Sequence, residues 1–266
     1  MLLAIGSVKA SPGATTTAVA LGARWPAPGV PVVVEADPAG GDLLARFGLE
    51  PYPGLVSLAA AARRTPEPGL LWQHTQRLPG GLGVVVGAMG GEQAKAALDA
   101  LASSGGTAVL RQAADDGRTV VIADCGRVES ASAALPVVRA ADALVLLARP
   151  RADELAHLAA LLPTVSGWCA AVWLVLVGDG YRPRDVTREL GVPVLGALPH
   201  DPPGAAVLAG QPGARRGPDR SALGQAAAQV AAVIRAQALG TGHRVPAASG
   251  LAGVVRGPGA DAWSRS

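Results

Sequence analysis

Leu2–Thr17 reads LLAIGSVKASPGATTT. A short apolar run, Leu2–Ile5, passes into a loop carrying Lys9, Pro12 and Gly13, and then into the Ala-rich stretch Thr16–Arg24. That order predicts a buried strand, a glycine turn and a helix. Backbone N–H groups at a helix N-terminus attract anions. Gly13 lets the chain approach a phosphate closely, and Thr15 and Thr16 offer hydroxyls to phosphate or Mg²⁺. The same residues also suit a plain Gly/Pro turn capped by threonine. The standard phosphate loop is GxxxxGK[ST]. With Gly13 as its second glycine the register runs from Val8 to Thr15, and both the leading glycine and the lysine are absent.

Outward from this stretch, further apolar runs recur: Pro31–Glu35, Val84–Val86, Thr119–Ala123, Ala143–Leu147, Ala171–Val177 and Pro193–Leu195. They are continuous rather than alternating, as in strands buried on both faces of a parallel sheet. Helix formers lie between them at Gly91–Ser103, Ala152–Leu162, Arg184–Leu190 and Ser221–Leu239, with Ser221 placed to cap the last. The expected fold is α/β, a doubly wound and mainly parallel sheet of about 7–8 strands with helices on both faces. One domain is expected over residues 1–240, followed by a Gly/Pro/Ala/Ser-rich flexible tail over 241–266.

Composition narrows the classes. The chain has 266 residues, 50% of them hydrophobic and only 3% aromatic, so it can bury a core, and that core is aliphatic. Net charge is +3, and the basic residues are scattered, which permits a polyanion partner without indicating one. Only Lys9 and Lys95 are lysines among 23 basic residues, so a lysine at position 9 stands out. Cys125 and Cys169 sit in or beside apolar runs and read as buried thiols. No His/Cys pattern points to a metal centre. The N-terminus reads as a strand rather than a signal peptide. The uncharged run Leu155–Val177 is interrupted by Pro163, Ser166 and Gly167, which predicts helix, turn and strand rather than a membrane span. A cytoplasmic location is expected.

Three more segments end at the edge where such sheets bind ligands. Glu35–Asp42 reads EADPAGGD; Asp37 is pinned by Pro38 and could orient a water, whereas Asp42 suits the cap of a helix near Leu43–Phe47. Ala123–Arg127 reads ADCGR, a strand ending in Asp then Gly, the arrangement in which a carboxylate helps hold Mg²⁺. Leu198–Asp201 reads LPHD. A dinucleotide-binding Rossmann site needs G-x-G-x-x-G after the first strand. Glu35 would serve as its acid, but Gly6 and Gly13 are too far apart.

Taken in order, these motifs resemble the MinD/ParA superfamily of deviant Walker-A P-loop ATPases, over roughly Leu2 to Leu239. The family loop KGGxGKT[TS] falls on Lys9-Ala10-Ser11-Pro12-Gly13-Ala14-Thr15-Thr16, its DxDPQ-like motif on Glu35–Ala39, and its Walker-B motif on Asp124-Cys125-Gly126. Val192–Asp201 resembles the family's late segment, whose Pro and Asp, here Pro199 and Asp201, lie near the base. The resemblance implies ATP and Mg²⁺ as cofactors. It implies that Lys9 reaches a dimer partner's phosphates, that Thr15 and Asp124 hold Mg²⁺, that Thr16 contacts the α-phosphate, and that Asp37 serves hydrolysis and the metal.

Ala14 stands where the family has the lysine that grips the phosphates. A charge-assisted contact is worth about 1.5–3 kcal/mol, so its loss costs about one to two decades in affinity. Ala10 and Ser11 replace glycines, and Asp179 stands near the position of an adenine-reading Asn. The loop variant SPGxTTT resembles an actinobacterial branch and the localisation proteins CpaE and TadZ of pilus and secretion machines. The implied function is a dimeric spatial organiser, with a protein partner in a secretion/pilus or division machine and with weak or absent ATP hydrolysis. The alternative is an active ATPase that uses Lys9, with DNA partitioning through non-specific DNA contacts as its role. The stretch after Gly240 carries no amphipathic pattern, which argues against direct membrane binding.

Overall fold

The computed structural model describes residues 1–10, 12–64, 67, 69–103, 105–211 and 217–240. Ser11 and the expected tail over 241–266 lie outside the described residues. In chain order the elements are β1 (Leu2–Ser7), α1 (Ala14–Ala23), β2 (Val30–Glu35), α2 (Leu43–Phe47), α3 (Leu55–Ala62), α4 (Leu70–Gln73), β3 (Gln76–Arg77) and β4 (Gly83–Val85). Then follow α5 (Gly91–Ser103), α6 (Gly106–Ala114), β5 (Thr119–Arg127), α7 (Leu135–Ala140), β6 (Ala143–Ala148) and α8 (Ala152–Val165). The last described elements are β7 (Val172–Val177), α9 (Pro183–Leu190), β8 (Val194–Leu198), α10 (Pro202–Leu208) and α11 (Ala222–Gly240).

The strands form one eight-stranded sheet in the order β3-β4-β2-β5-β1-β6-β7-β8. Every neighbouring pair is parallel except β3 with β4. This is the doubly wound architecture expected from the apolar runs. Alternate residues of each strand feed opposite layers. Leu2, Ala4, Val32, Val34, Val121, Leu144 and Leu174 face one layer, packed with residues of α3, α5, α6, α7 and α8. Leu3, Ile5, Val33, Ile122, Val145, Trp173 and Val175 face the other, packed with α1, α10 and α11. Fully burying one such side chain contributes about 1.5–3 kcal/mol. The runs are continuous because both faces are covered.

The two edges differ. β3 is a two-residue antiparallel strand. β8 is the other edge, five residues between Pro193 and Pro199.

Local detail departs from expectation at several points. α8 does not stop at Leu162 but runs through Pro163 to Val165. Proline there removes a hydrogen bond to Ala159, which is exposed, so the carbonyl meets water instead. Ser221 caps α11 as expected, its Oγ accepting from Gly224 N at 2.9 Å. Asp42 occupies the N-cap position of α2, but its backbone is helical and its carboxylate pairs with Arg46 at 2.5 Å. The capping carboxylate is Glu35. Cys125 and Cys169 are free and buried, as expected. Among the described residues no helix is long and apolar enough to cross a membrane.

Candidate functional site

The carboxyl ends of β1, β2 and β5 bring the acidic motifs together. β5 lies between β2 and β1, and Asp124 is in register with both Glu35 and Ile5. Asp124 is fully buried. Its Oδ1 accepts from Gly126 N at 3.2 Å, and its Oδ2 has no hydrogen-bond partner. Burial pushes its pKa up to about 7; the Thr15 side chain and the Gly126 N–H favour the charged form, and the Asp37 and Glu35 carboxylates oppose it. An unsatisfied buried carboxylate oxygen is costly.

Glu35 ties the loop behind Asp37 into place. Its Oε1 accepts from Asp42 N at 2.7 Å and Leu43 N at 2.9 Å, and its Oε2 accepts from Gly87 N at 2.9 Å. One carboxylate thus closes the start of α2 and joins the end of β2 to the segment after β4. Burial nevertheless raises its pKa, against those three amides. Asp37 is half-buried and accepts from Ala39 N at 2.8 Å. Burial raises its pKa too. Its carboxyl lies directly over Gly126, where a Cβ would collide with it; Gly126 also has φ 57. The glycine after Asp124 is therefore required twice, for its backbone and for its missing side chain.

The phosphate-loop residues divide between roles. Gly13 is the N-cap of α1 with φ 92, and no side chain caps the helix. Thr17 N bonds to Gly13 O at 2.8 Å, and the earlier N–H groups of α1 face the loop. Thr15 and Thr16 are half-buried beside them. Ala14 is buried in the core layer of α1 and brings no charge to the loop. Ala10 has φ 57, the left-handed conformation that a glycine adopts freely. Lys9 Nζ lies 3.8 Å from Asp153 Oδ2, in the first turn of α8.

A cleft of 1290 Å³ runs from Pro12, Gly13 and Thr16 across the ends of β6, β7 and β8 to Gly178, Asp179, Pro199 and Asp201. Arg46, Arg149 and Arg151 also line it. Arg46 is paired with Asp42 and Arg149 with Glu154, so among the described residues Arg151 is the one of the three without an ion pair; nothing in the sequence alone placed them there. Asp201 is committed elsewhere. Its Oδ1 accepts from Gly204 N at 2.9 Å and its Oδ2 from Leu223 N at 3.0 Å, tying α10 to the start of α11. Those amides hold its pKa low. Asp37 lines a separate cleft of 1150 Å³ with Lys95, Arg127 and Arg139. Of the expected site residues, Pro12, Gly13, Thr16, Pro199 and Asp201 thus line one cleft and Asp37 another.

Among the described residues no group of three or more His, Cys, Asp and Glu side chains could hold a metal. Mg²⁺ carried in on phosphates needs only one or two protein ligands, and the free Asp124 Oδ2 near Thr15 fits that need.

No family model matches the chain, and no curated protein matches it. Solved structures do. The Pyrococcus furiosus cell division ATPase MinD is 20% identical, with TM-score 0.67 over 89% of this chain and 98% of that one. A ParA family ATPase from Chlorobium tepidum is 17% identical, with TM-score 0.66 over 87% and 97%. The septum site-determining protein MinD from Pyrococcus horikoshii, complexed with Mg-ADP, is 18% identical, with TM-score 0.67 over 89% and 96%. The chain has the fold of the MinD/ParA P-loop ATPases.

Proposed function

We propose that the protein is a MinD/ParA-like nucleotide-binding spatial organiser whose hydrolysis is weak or absent. The observation that carries this reading is the uncapped start of α1 at the mouth of a large cleft, beside an unsatisfied buried Asp124 oxygen. The helix N-terminus would receive phosphates, and Asp124 and Thr15 would hold the Mg²⁺ whose charge offsets theirs. Ala14 removes the group that would grip the phosphates most strongly, and Arg151, which lines the cleft without an ion pair among the described residues, offsets part of that loss. A nucleotide-linked homodimer, engaging a protein partner in a secretion, pilus or division machine in the manner of CpaE and TadZ, completes the reading. ATP is the nucleotide implied by the resemblance, and the cytoplasm the place.

Titration calorimetry with Mg–ATP and Mg–GTP tests it. Heat with either nucleotide, reduced by Thr15→Val, is expected, with hydrolysis near background. No heat with either at millimolar concentration overturns it.

The second reading, an active ATPase that uses Lys9, is favoured by the position of Lys9 on the loop, tethered among the described residues only through a half-exposed ion pair. Such a pair contributes about 0–1 kcal/mol and releases readily. Mg²⁺-dependent turnover abolished by Lys9→Ala and by Asp37→Ala would establish it; turnover untouched by both removes it.

A further inference from the structure

The start of α3 is held by side chains from the segment that follows α4. Gln76 Nε2 donates to Glu50 O at 2.7 Å and to Pro53 O at 2.6 Å, and its Oε1 accepts from Glu50 N at 3.2 Å. Two residues earlier, His74 Nδ1 lies 2.7 Å from Ser57 Oγ. An amide keeps its bonds at any ordinary pH, whereas an imidazole changes charge close to neutrality.

Ser57 Oγ has three polar neighbours and one proton. It accepts from Gly54 N at 3.0 Å, and it lies 3.0 Å from Gly54 O and 2.7 Å from His74 Nδ1. Gly54 O already accepts from Leu58 N at 2.9 Å. The hydroxyl therefore gives its proton to the shorter contact, Nδ1, while the ring is neutral with its own proton on Nε2. Protonation reverses that bond: Nδ1–H donates, and the hydroxyl falls back on Gly54 O. It also sets a full positive charge on a half-buried ring at the first turn of α3, where the free N–H groups of the helix are themselves positive. Burial lowers the pKa of His74. Tyr52, Arg64 and Glu67 line the same hollow of 600 Å³. Arg64 and Glu67 oppose each other in sign, and a tyrosine is neutral near pH 7.

We propose that the Ser57–His74 contact is a pH-sensitive latch on the start of α3, closed while the ring is neutral and released on acidification. Leu55 N bonds to Val86 O at 2.8 Å, and there is no room for a Cβ on Gly54 against that carbonyl. The next amide, Gly87 N, bonds to Glu35 Oε2 at 2.9 Å. The latch is thus joined, through the segment after β4, to the carboxylate that holds the Asp37 loop. The folded ring binds its proton more weakly than the unfolded one. Its contribution to stability is present above the unfolded value of 6.5 and is lost as pH falls through the folded value.

The test is nitrogen NMR of the ring with hydrogen exchange of the full chain, beside His74→Gln and Ser57→Ala. Exposed His157 on α8 is the internal reference. At about pH 7.5 the His74 proton should sit on Nε2. The ring should titrate below His157; the helix terminus alone weakens its proton affinity by about twofold to fivefold. On acidification, protection at Leu55 and Leu58, corrected for intrinsic exchange, should fall relative to α8, and Gly87 should follow Leu55. In His74→Gln the fall at Leu55 and Leu58 should disappear, although Glu35 still titrates there. Ser57→Ala should move the His74 midpoint toward that of His157. A proton on Nδ1 at about pH 7.5, a midpoint at or above that of His157, a midpoint that Ser57→Ala leaves in place, or the same acid-induced loss in His74→Gln overturns the latch.

Discussion

Asp124 carries the clearest consequence at the scale of the residue. An acid whose folded pKa lies above its unfolded value holds its proton more tightly in the folded chain. Its contribution to stability is full below the unfolded value of 3.8 and is lost as pH rises through about 7. A shift of that size corresponds to at most about 4 kcal/mol. The neutral Asp124→Asn variant should flatten the pH profile between 4 and 7 and be the more stable chain at pH 8, read by urea unfolding without Mg²⁺. Parallel profiles would remove the assignment. Ala10 offers a second case, since its φ of 57 costs an ordinary residue about 1 kcal/mol. Ala10→Gly should raise Tm by about 2–4 °C; an unchanged or lower Tm counts against strain there. Both residues were visible in the sequence as motif positions. Their physical state was not, because the burial of Asp124 depends on neighbours far along the chain: it is in register with Ile5 and with Glu35.

Elements were legible where one rule dominated. Long apolar runs gave strands because burial on both faces leaves no competing pattern, and Gly91–Ser103 matched α5 in full. Short helices such as α4 and α7 escaped notice, since four to six residues carry too little periodicity. The cap of α2 escaped for another reason. Asp42 is adjacent to the helix, but the group that closes it is Glu35, seven residues earlier and brought there by β2. Glu35→Ala leaves the amides of Asp42, Leu43 and Gly87 without that acceptor and should cost about 2–3 kcal/mol in chemical denaturation; a cost within 0.5 kcal/mol, as for a surface change, would deny Glu35 that role. Gly126→Ala sets a methyl against the Asp37 carboxyl. Protection of residues 36–42 from hydrogen exchange should fall, whereas that of α8 should hold. Unchanged protection at both places would mean that Asp37 does not rest on Gly126.

At the scale of the molecule, the division into two clefts was beyond the sequence. Motif order says which strands end in chemistry, but not which side of the sheet edge each side chain opens onto. Pro12, Gly13 and Thr16 share a cleft with Asp179, whereas Asp37 looks toward Arg127 and Arg139. On the proposed reading, nucleotide binding at the first cleft can be tested apart from the second cleft by mutation. Arg139→Glu should leave nucleotide affinity within about twofold and shift the nucleotide-linked dimer in sedimentation velocity; equal effects on both would mean that the clefts act as one.

The prolines that bracket β8 also bear on how the protein behaves in company. An edge strand shows a row of unpaired amides and carbonyls that another chain can zip onto. Pro193 and Pro199 restrict that row to five residues, and proline gives no N–H to continue it. Fibril-like stacking through this margin is blunted by covalent structure rather than by charge, so salt should not unmask it. Pro193→Val lengthens the row, and its signature would be thioflavin-positive aggregation on gentle warming, at temperatures where the parent chain stays dispersed.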